Sequence, residues 1–251
     1  MGRELTDDYR TLLITGASKG IGKTTARHFA ENNYDVLLNY NTDHVGANEV
    51  AEEIREMGRK AVAVQADVSD ARQVELLVER TFDELGRIDV LVNNAAIQSR
   101  FRIEELSEET WDRTIDVNLK SAFLCSRAVT PIMKKQGTGK IINVSSVAAR
   151  NGGILGAHYA SSKAGMFGLT HCLAKELAPF NILVNAVAPA LIADAGPIAT
   201  MSDADKEALT KVIPLGRLGR SIDVAKTILL LAETDFITGQ TIDVNGGWWM
   251  S

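Results

Sequence analysis

Short apolar runs rich in β-branched residues alternate with stretches of helical periodicity along the whole 251-residue chain. The runs fall at 11–15, 36–40, 61–66, 90–93, 140–145, 183–187 and 241–244, and the first six are almost continuously apolar. A strand wetted on one side alternates polar and apolar residues, whereas a continuously apolar strand is covered on both faces, as parallel strands are. Helical spacing at 21–32, 45–57, 70–85, 111–135 and 157–177 supplies the covering elements. This alternation requires right-handed crossovers and predicts an α/β fold with one doubly wound, seven-stranded parallel sheet flanked by helices. No Pro/Gly/Ser-rich linker, charge block or repeat divides the chain, so 1–251 reads as a single domain. Segment 189–212 is less regular and longer than a usual strand-to-helix connection, and reads as a substrate lid.

The first run leads directly into Thr15-Gly16-Ala17-Ser18-Lys19-Gly20-Ile21-Gly22, and a helical pattern follows at once. Glycine permits positive φ and close approach of backbone to a ligand. A helix N-terminus offers free N–H groups and a partial positive charge to a pyrophosphate. A glycine cluster alone is often only a tight turn, but here it sits at the first strand-to-helix turn, where a Rossmann-type dinucleotide site belongs. In such a sheet ligands bind beyond the carboxyl ends of the strands, which adds Asp67-Val68 and Asn94-Ala95-Ala96 as cofactor candidates. Asp67 and Asp70 read equally well as helix N-caps, and Asn94 as a turn residue.

Tyr159 and Lys163 are four residues apart in a helical stretch and share a face. A free phenol is a poor acid–base group near neutrality, and a nearby ammonium stabilises the phenolate and lowers its pKa. Such a tyrosine can pass a proton to or from a carbonyl oxygen. Ser146, at the end of the fifth run, can hydrogen-bond that oxygen as charge develops on it. Tyr/Lys pairs at this spacing are common on solvated helices, so the weight lies in the combination with the glycine turn.

From about residue 10 to the C-terminus the sequence resembles the short-chain dehydrogenase/reductase family. The resemblance is carried by the glycine turn, Asn93-Asn94-Ala95-Ala96, Asn118 within Asp-Val-Asn-Leu, Ser145-Ser146, Tyr159-x-x-x-Lys163 and Asn185-Ala-Val-Ala-Pro189. It implies a metal-free carbonyl reduction by direct hydride transfer, with Tyr159 as general acid/base and Ser146 polarising the carbonyl. Lys163 would bind the nicotinamide ribose and tune the tyrosine, and Asn118 would hold a water in a proton relay. The implied cofactor contacts are Gly16, Ser18, Lys19, Gly20, Ile21, Gly22, Asn41, Asp67, Val68, Asn94, Ala95, Ala96, Tyr159, Lys163, Pro189, Ala190, Ile192 and Asp194. The second run ends in Asn39-Tyr40-Asn41 with no carboxylate before Asp43 to take a ribose 2′-hydroxyl, and Lys19 is placed to pair with a 2′-phosphate, so the expected cofactor is NADP(H). Three positions depart from the family pattern. Ala96 and Ala190 stand where glycine is usual. Asp194 stands where a threonine commonly contacts the carboxamide; it either faces the nicotinamide and favours its oxidised, cationic form, or points to solvent.

Within the family the nearest look is that of reductases acting on 3-oxoacyl groups, an acyl thioester possibly carried on acyl carrier protein. Lys134, Lys135 and Arg150 are the candidate docking cations. The rival readings are a dehydrogenase of a sugar, polyol or small ketone, for which Asp194, Thr200, Ser202 and Asp203 would supply polar groups in the lid, and a non-catalytic dinucleotide sensor. A net charge of −5 gives no reason to expect nucleic acid or anionic membrane as partner. No apolar run is long enough to span a bilayer and the first ten residues are polar, so the expected location is cytoplasmic. Cys125 and Cys172 are far apart in apolar helical stretches and read as buried thiols. The apolar tail Trp248-Trp249-Met250 would pack either within its own subunit or against a neighbour in the homotetramer that the resemblance implies.

Overall fold

The computed structural model describes residues 9–250. The polar segment 1–8, part of the N-terminal stretch read above, lies outside the described residues. Seven strands, β1 (Arg10–Ile14), β2 (Tyr34–Tyr40), β3 (Ala61–Gln65), β4 (Val90–Asn93), β5 (Gly139–Val144), β6 (Ile182–Pro189) and β7 (Thr241–Val244), form one sheet. Their order is β3-β2-β1-β4-β5-β6-β7, and every pairing is parallel. Every residue of β2 and β6 is buried, as continuously apolar strands require.

Side chains alternate across the sheet and build a core on each face. Leu12 and Ile14 of β1 face one side, where they join Phe29, Ile54 and Ile228 from α1 (Gly20–Glu31), α2 (His44–Glu56) and α9 (Ser221–Glu233). Leu13 faces the other, with Leu77, Val129 and Leu177 from α3 (Ala71–Leu85), α5 (Ser121–Gln136) and α7 (Ala157–Leu177). Strand order reverses between β1 and β4, and this opens a crevice at their carboxyl ends.

Four features differ from the sequence reading. The helix expected at 111–135 begins earlier, as α4 (Glu108–Ile115), where the Ser107 hydroxyl accepts from Thr110 N. It then widens into a π-helical turn, Asp116–Lys120, before continuing as α5. Such turns commonly re-aim a side chain at a functional site, and this one carries Asn118. α9 is not among the helices expected from sequence, although it buries Ser221, Val224, Ala225, Ile228, Leu229 and Ala232 at helical spacing. Cys125 is buried, which pushes its thiol up to about 12, but Cys172 is exposed, because α7 buries the stripe Tyr159, Lys163, Met166, Thr170, Ala174 and position 172 falls beside it. The irregular segment after β6 forms a 3₁₀ turn (Gly196–Thr200) and α8 (Asp203–Thr210), and a parallel bridge between Ile192 and Gly219 anchors it. The segment has its own apolar cluster of Leu191, Ile198, Ile213 and Leu218, against which Trp248 packs within the subunit. Trp249 is only partly covered and Met250 is exposed.

Candidate active site

The glycine turn is held in shape by two asparagines. Asn39, a buried polar residue near the end of β2, accepts from Gly16 N at 3.3 Å and donates to Ala66 O at 3.0 Å. Asn94 donates from one amide nitrogen to Thr15 O and Gly16 O, both at 2.9 Å. Thr15 Oγ1 accepts from the backbone N of Asn94 and Ala95. Asn94 therefore shapes the cofactor cradle through the turn rather than standing free as a turn residue. Gly16 adopts φ +63°, and a Cβ there would lie 2.9 Å from Ala95 Cα. Gly22 has no room for a Cβ against Gly16 O and Asn94.

These residues fit a dinucleotide. The α1 N-terminus carries no side-chain cap and no acidic residue in its first turn, so its free N–H groups suit an anion. Lys19 at the N-cap is exposed and has no ion pair among the described residues. Asn41 is exposed just past β2, and Asp43 caps α2 by accepting from Gly46 N. No free carboxylate therefore ends β2. Asp70, not Asp67, caps α3. The Asp67 carboxylate accepts from Ser69 N and Oγ and pairs with Arg113 at 2.9 Å, and these contacts hold it below the usual carboxylate range against the opposing effect of burial. Val68 beside it is buried.

Tyr159 and Ser146 line a cleft at the carboxyl ends of β4, β5 and β6, together with Lys163 and Ile21. Ala96, Gln98, Pro189, Ala190 and Ile192 also line it. β5 stops at Val144, two residues before Ser146. The neighbouring Ser145 is buried and donates to Lys163 O at 2.7 Å, which leaves Ser146 as the serine beside the tyrosine hydroxyl. The expected lowering of the phenol is not seen. Burial raises Tyr159 above the ordinary phenol value, and the side chains of Ser146 and Gln98 only partly offset it. Lys163 is 2 % exposed, its Nζ lies 5.9 Å from the tyrosine ring centroid and donates to Val144 O at 2.8 Å, and burial pushes it down to about 8. The low dielectric penalises both charged forms, so tyrosine and lysine are both biased toward neutrality.

Asn118 is fully buried, but its amide bonds are to Ile97 N (2.8 Å), Ile97 O (3.1 Å) and Ser162 Oγ (3.3 Å). It clamps the chain after β4. The Asp194 carboxylate takes neither expected course: Oδ1 accepts from Ser221 N at 2.8 Å and Ser221 Oγ at 2.9 Å, tying the lid to the α9 N-terminus. Helix N-terminal N–H groups attract an anion, and that attraction holds this one. The other polar lid residues are also turned away. Ser202 caps α8, Thr200 bonds Pro197 O, and Asp203 is exposed in the first turn of α8. Sequence reasoning missed Asn39, Gln98 and the cleft-lining Trp248. A polar residue within the largely apolar run 36–40 marked Asn39 in advance, since buried amides need partners; nothing in the local pattern marked the other two.

Among the described residues no His, Cys, Asp or Glu cluster is arranged for a metal, and no helix is long and apolar enough to cross a membrane.

The glycine turn lies beside a cleft lined by Tyr159, Ser146 and Lys163, and the protein is an oxidoreductase that acts on CH–OH groups. The chain belongs to the short-chain dehydrogenase family, whose model matches residues 10–205. It is 43% identical over 243 residues to the 3-oxoacyl-[acyl-carrier-protein] reductase FabG of Staphylococcus aureus, covering 96% of this chain and 98% of the relative. A 3-oxoacyl-[acyl-carrier-protein] reductase of Synechocystis is 44% identical, covering 95% and 96%. The (2S)-[(R)-hydroxy(phenyl)methyl]succinyl-CoA dehydrogenase subunit BbsD of Thauera aromatica is 40% identical with the same coverage. Among solved structures, one described as a short-chain alcohol dehydrogenase of Sinorhizobium meliloti superposes with a TM-score of 0.90 at 34% identity, covering 95% of this chain and 96% of that one.

Proposed function

We propose that the protein is an NADPH-dependent reductase of 3-oxoacyl thioesters. The observation that carries this reading is the composition of the cleft. Its polar lining is Tyr159, Ser146 and Lys163 with Ser145, Asn94 and Gln98, and most of the remaining wall is apolar, including Ile154, Leu155, Leu191, Ile198, Met201 and Trp248. Such a wall suits an acyl chain. A sugar needs several polar partners, and the lid residues that would supply them are bonded elsewhere. The relatives' names point the same way, since all three act on acyl groups carried on acyl carrier protein or coenzyme A.

Bound NADPH supplies the hydride. The chain supplies orientation and the proton. Ser146 donates a hydrogen bond to the ketone oxygen, and Tyr159, kept neutral by burial, is a ready proton donor to the same oxygen as negative charge develops. The Lys163 ammonium, held against Val144 O, balances the phenolate that remains and holds the cofactor ribose. A proton then returns from solvent. Asn118, its amide bonded to Ile97 and Ser162, supports this site by fixing the chain after β4.

Of the expected docking cations, Lys134 and Lys135 lie in the last turn of α5. Gln136 next to them bonds the backbone of Ile88 at the start of β4, the edge of the sheet remote from this subunit's cleft. Arg150 pairs with Asp243 and stacks on Phe167. The carrier is therefore left to experiment. Steady-state kinetics with NADPH or NADH against acetoacetyl-CoA, acetoacetyl-acyl carrier protein, hexoses and simple ketones test the reading. NADPH with an acetoacetyl thioester should give the highest kcat/KM, at least about tenfold above any sugar. Lys19→Ala should weaken NADPH use by about ten- to a hundredfold while leaving NADH nearly unchanged, as expected for a charge-assisted contact to a 2′-phosphate. A hexose as the best substrate, or equal loss with both cofactors, contradicts it.

A further inference from the structure

We propose that the carboxamide of Gln98 is a specificity-determining contact, which takes the second oxygen of a 1,3-dioxo substrate while Tyr159 and Ser146 hold the first. Gln98 Nε2 donates to the Tyr159 hydroxyl at 3.3 Å, near the long end for such a bond and so readily given up to a better acceptor. The amide thus stands one hydrogen-bond length from the hydroxyl that the reacting ketone oxygen must approach, beside the place where a second oxygen of the substrate would fall. When the two carbonyls of a 3-oxo thioester turn to the same side, their oxygens are separated by about that distance. A ketone without a second carbonyl offers Gln98 nothing.

The residue is held in place on every side. Asn118 grips both backbone groups of Ile97, immediately before it. Ser99 Oγ contacts His158 Nε2 at 3.3 Å, immediately after it, and Phe101 N donates to Leu155 O at 3.0 Å. The side chain therefore projects into the cleft from a fixed backbone. On the lid, Gly196 adopts φ +57°, and any Cβ there would collide with Gln98 Oε1. The lid thus leaves at this point the space that the amide occupies. A site built to hydrogen-bond a polar substrate group discriminates against analogues that lack it, because a bound analogue displaces water from the amide without replacing the bond.

The inference rests on the reading of this cleft as a 3-oxoacyl site, and its test is kept separable. Wild type, Gln98→Leu and the unbranched Gln98→Met are compared on ethyl acetoacetate, which has two carbonyls, and 2-hexanone, which has one. Thermal unfolding confirms that the variants fold. Both variants should lose about five- to tenfold in kcat/KM on ethyl acetoacetate, chiefly through KM, and less than about twofold on 2-hexanone. Equal loss on both substrates means that the amide acts only through Tyr159, and equal retention means that it does nothing; either overturns the proposal, as does a wild type that reduces neither probe. Selective loss in a protein that rejects acetoacetyl thioesters would uphold Gln98 and refute the thioester assignment.

Discussion

Tyr159→Phe will fold like the wild type and lose about 10²- to 10⁴-fold in kcat, the range that removal of a positioned general acid costs. The ring stays, so the packing of this nearly buried side chain on α7 is kept. What disappears is one oxygen, whose protein neighbours are Gln98 Nε2 and the Ser146 side chain. Both line an open cleft and can be re-solvated, so the stability change should stay within about 1 kcal/mol. Cofactor affinity, measured by quenching of the tryptophans or by dinucleotide fluorescence, should change little. A variant that keeps its rate would remove the acid–base assignment, and one that unfolds would recast Tyr159 as a structural residue.

Gly22→Ala should abolish productive cofactor binding and destabilise the protein. The new methyl would be forced against the backbone oxygen of Gly16 and, at 2.7 Å, against Asn94 Nδ2. Neither is the far end of a flexible side chain. The first is the glycine turn itself and the second is the amide that holds it. Overpacking of this kind costs about 1–3 kcal/mol, and relieving it means moving the N–H groups that face the phosphates. The same chemical change at Gly168, on α7 with nothing within 4 Å, provides the control. There the loss of backbone entropy in the unfolded chain should stabilise by about 0.5–1 kcal/mol. Opposite signs for two Gly→Ala changes, read by chemical denaturation and by a dinucleotide titration, would tie the first effect to the cradle rather than to helix propensity.

The sheet was legible because burial on both faces leaves a mark that no other arrangement needs: strands with no polar alternation, separated by helices. The glycine turn was legible because its backbone conformation excludes other residues. Helical spacing brought Tyr159 and Lys163 to one face, but only the glycine turn and the other family motifs gave that pair weight. Their electrostatics were not legible. Helical spacing says that an ammonium is near a phenol, but how far each is withdrawn from water depends on chain segments remote in sequence, and burial reverses the expected direction for Tyr159. Asp194 failed for a related reason. Its partner, Ser221, is 27 residues away, at the start of a helix absent from the sequence reading. Gln98 lies in an irregular segment whose position comes from Asn118 and His158, both distant along the chain. Long-range hydrogen bonds, rather than local pattern, set the finer parts of this site.

Transfer of deuteride from 4-deuterated NADPH to an acetoacetyl thioester bears most directly on the account. If Tyr159 and Ser146 hold the ketone oxygen at the cofactor's edge of the cleft, the label should appear on carbon 3 of the hydroxyacyl product, from one face of the nicotinamide and without exchange with water. Product formed with solvent hydrogen at that carbon, or cofactor oxidised without labelled product, would contradict it.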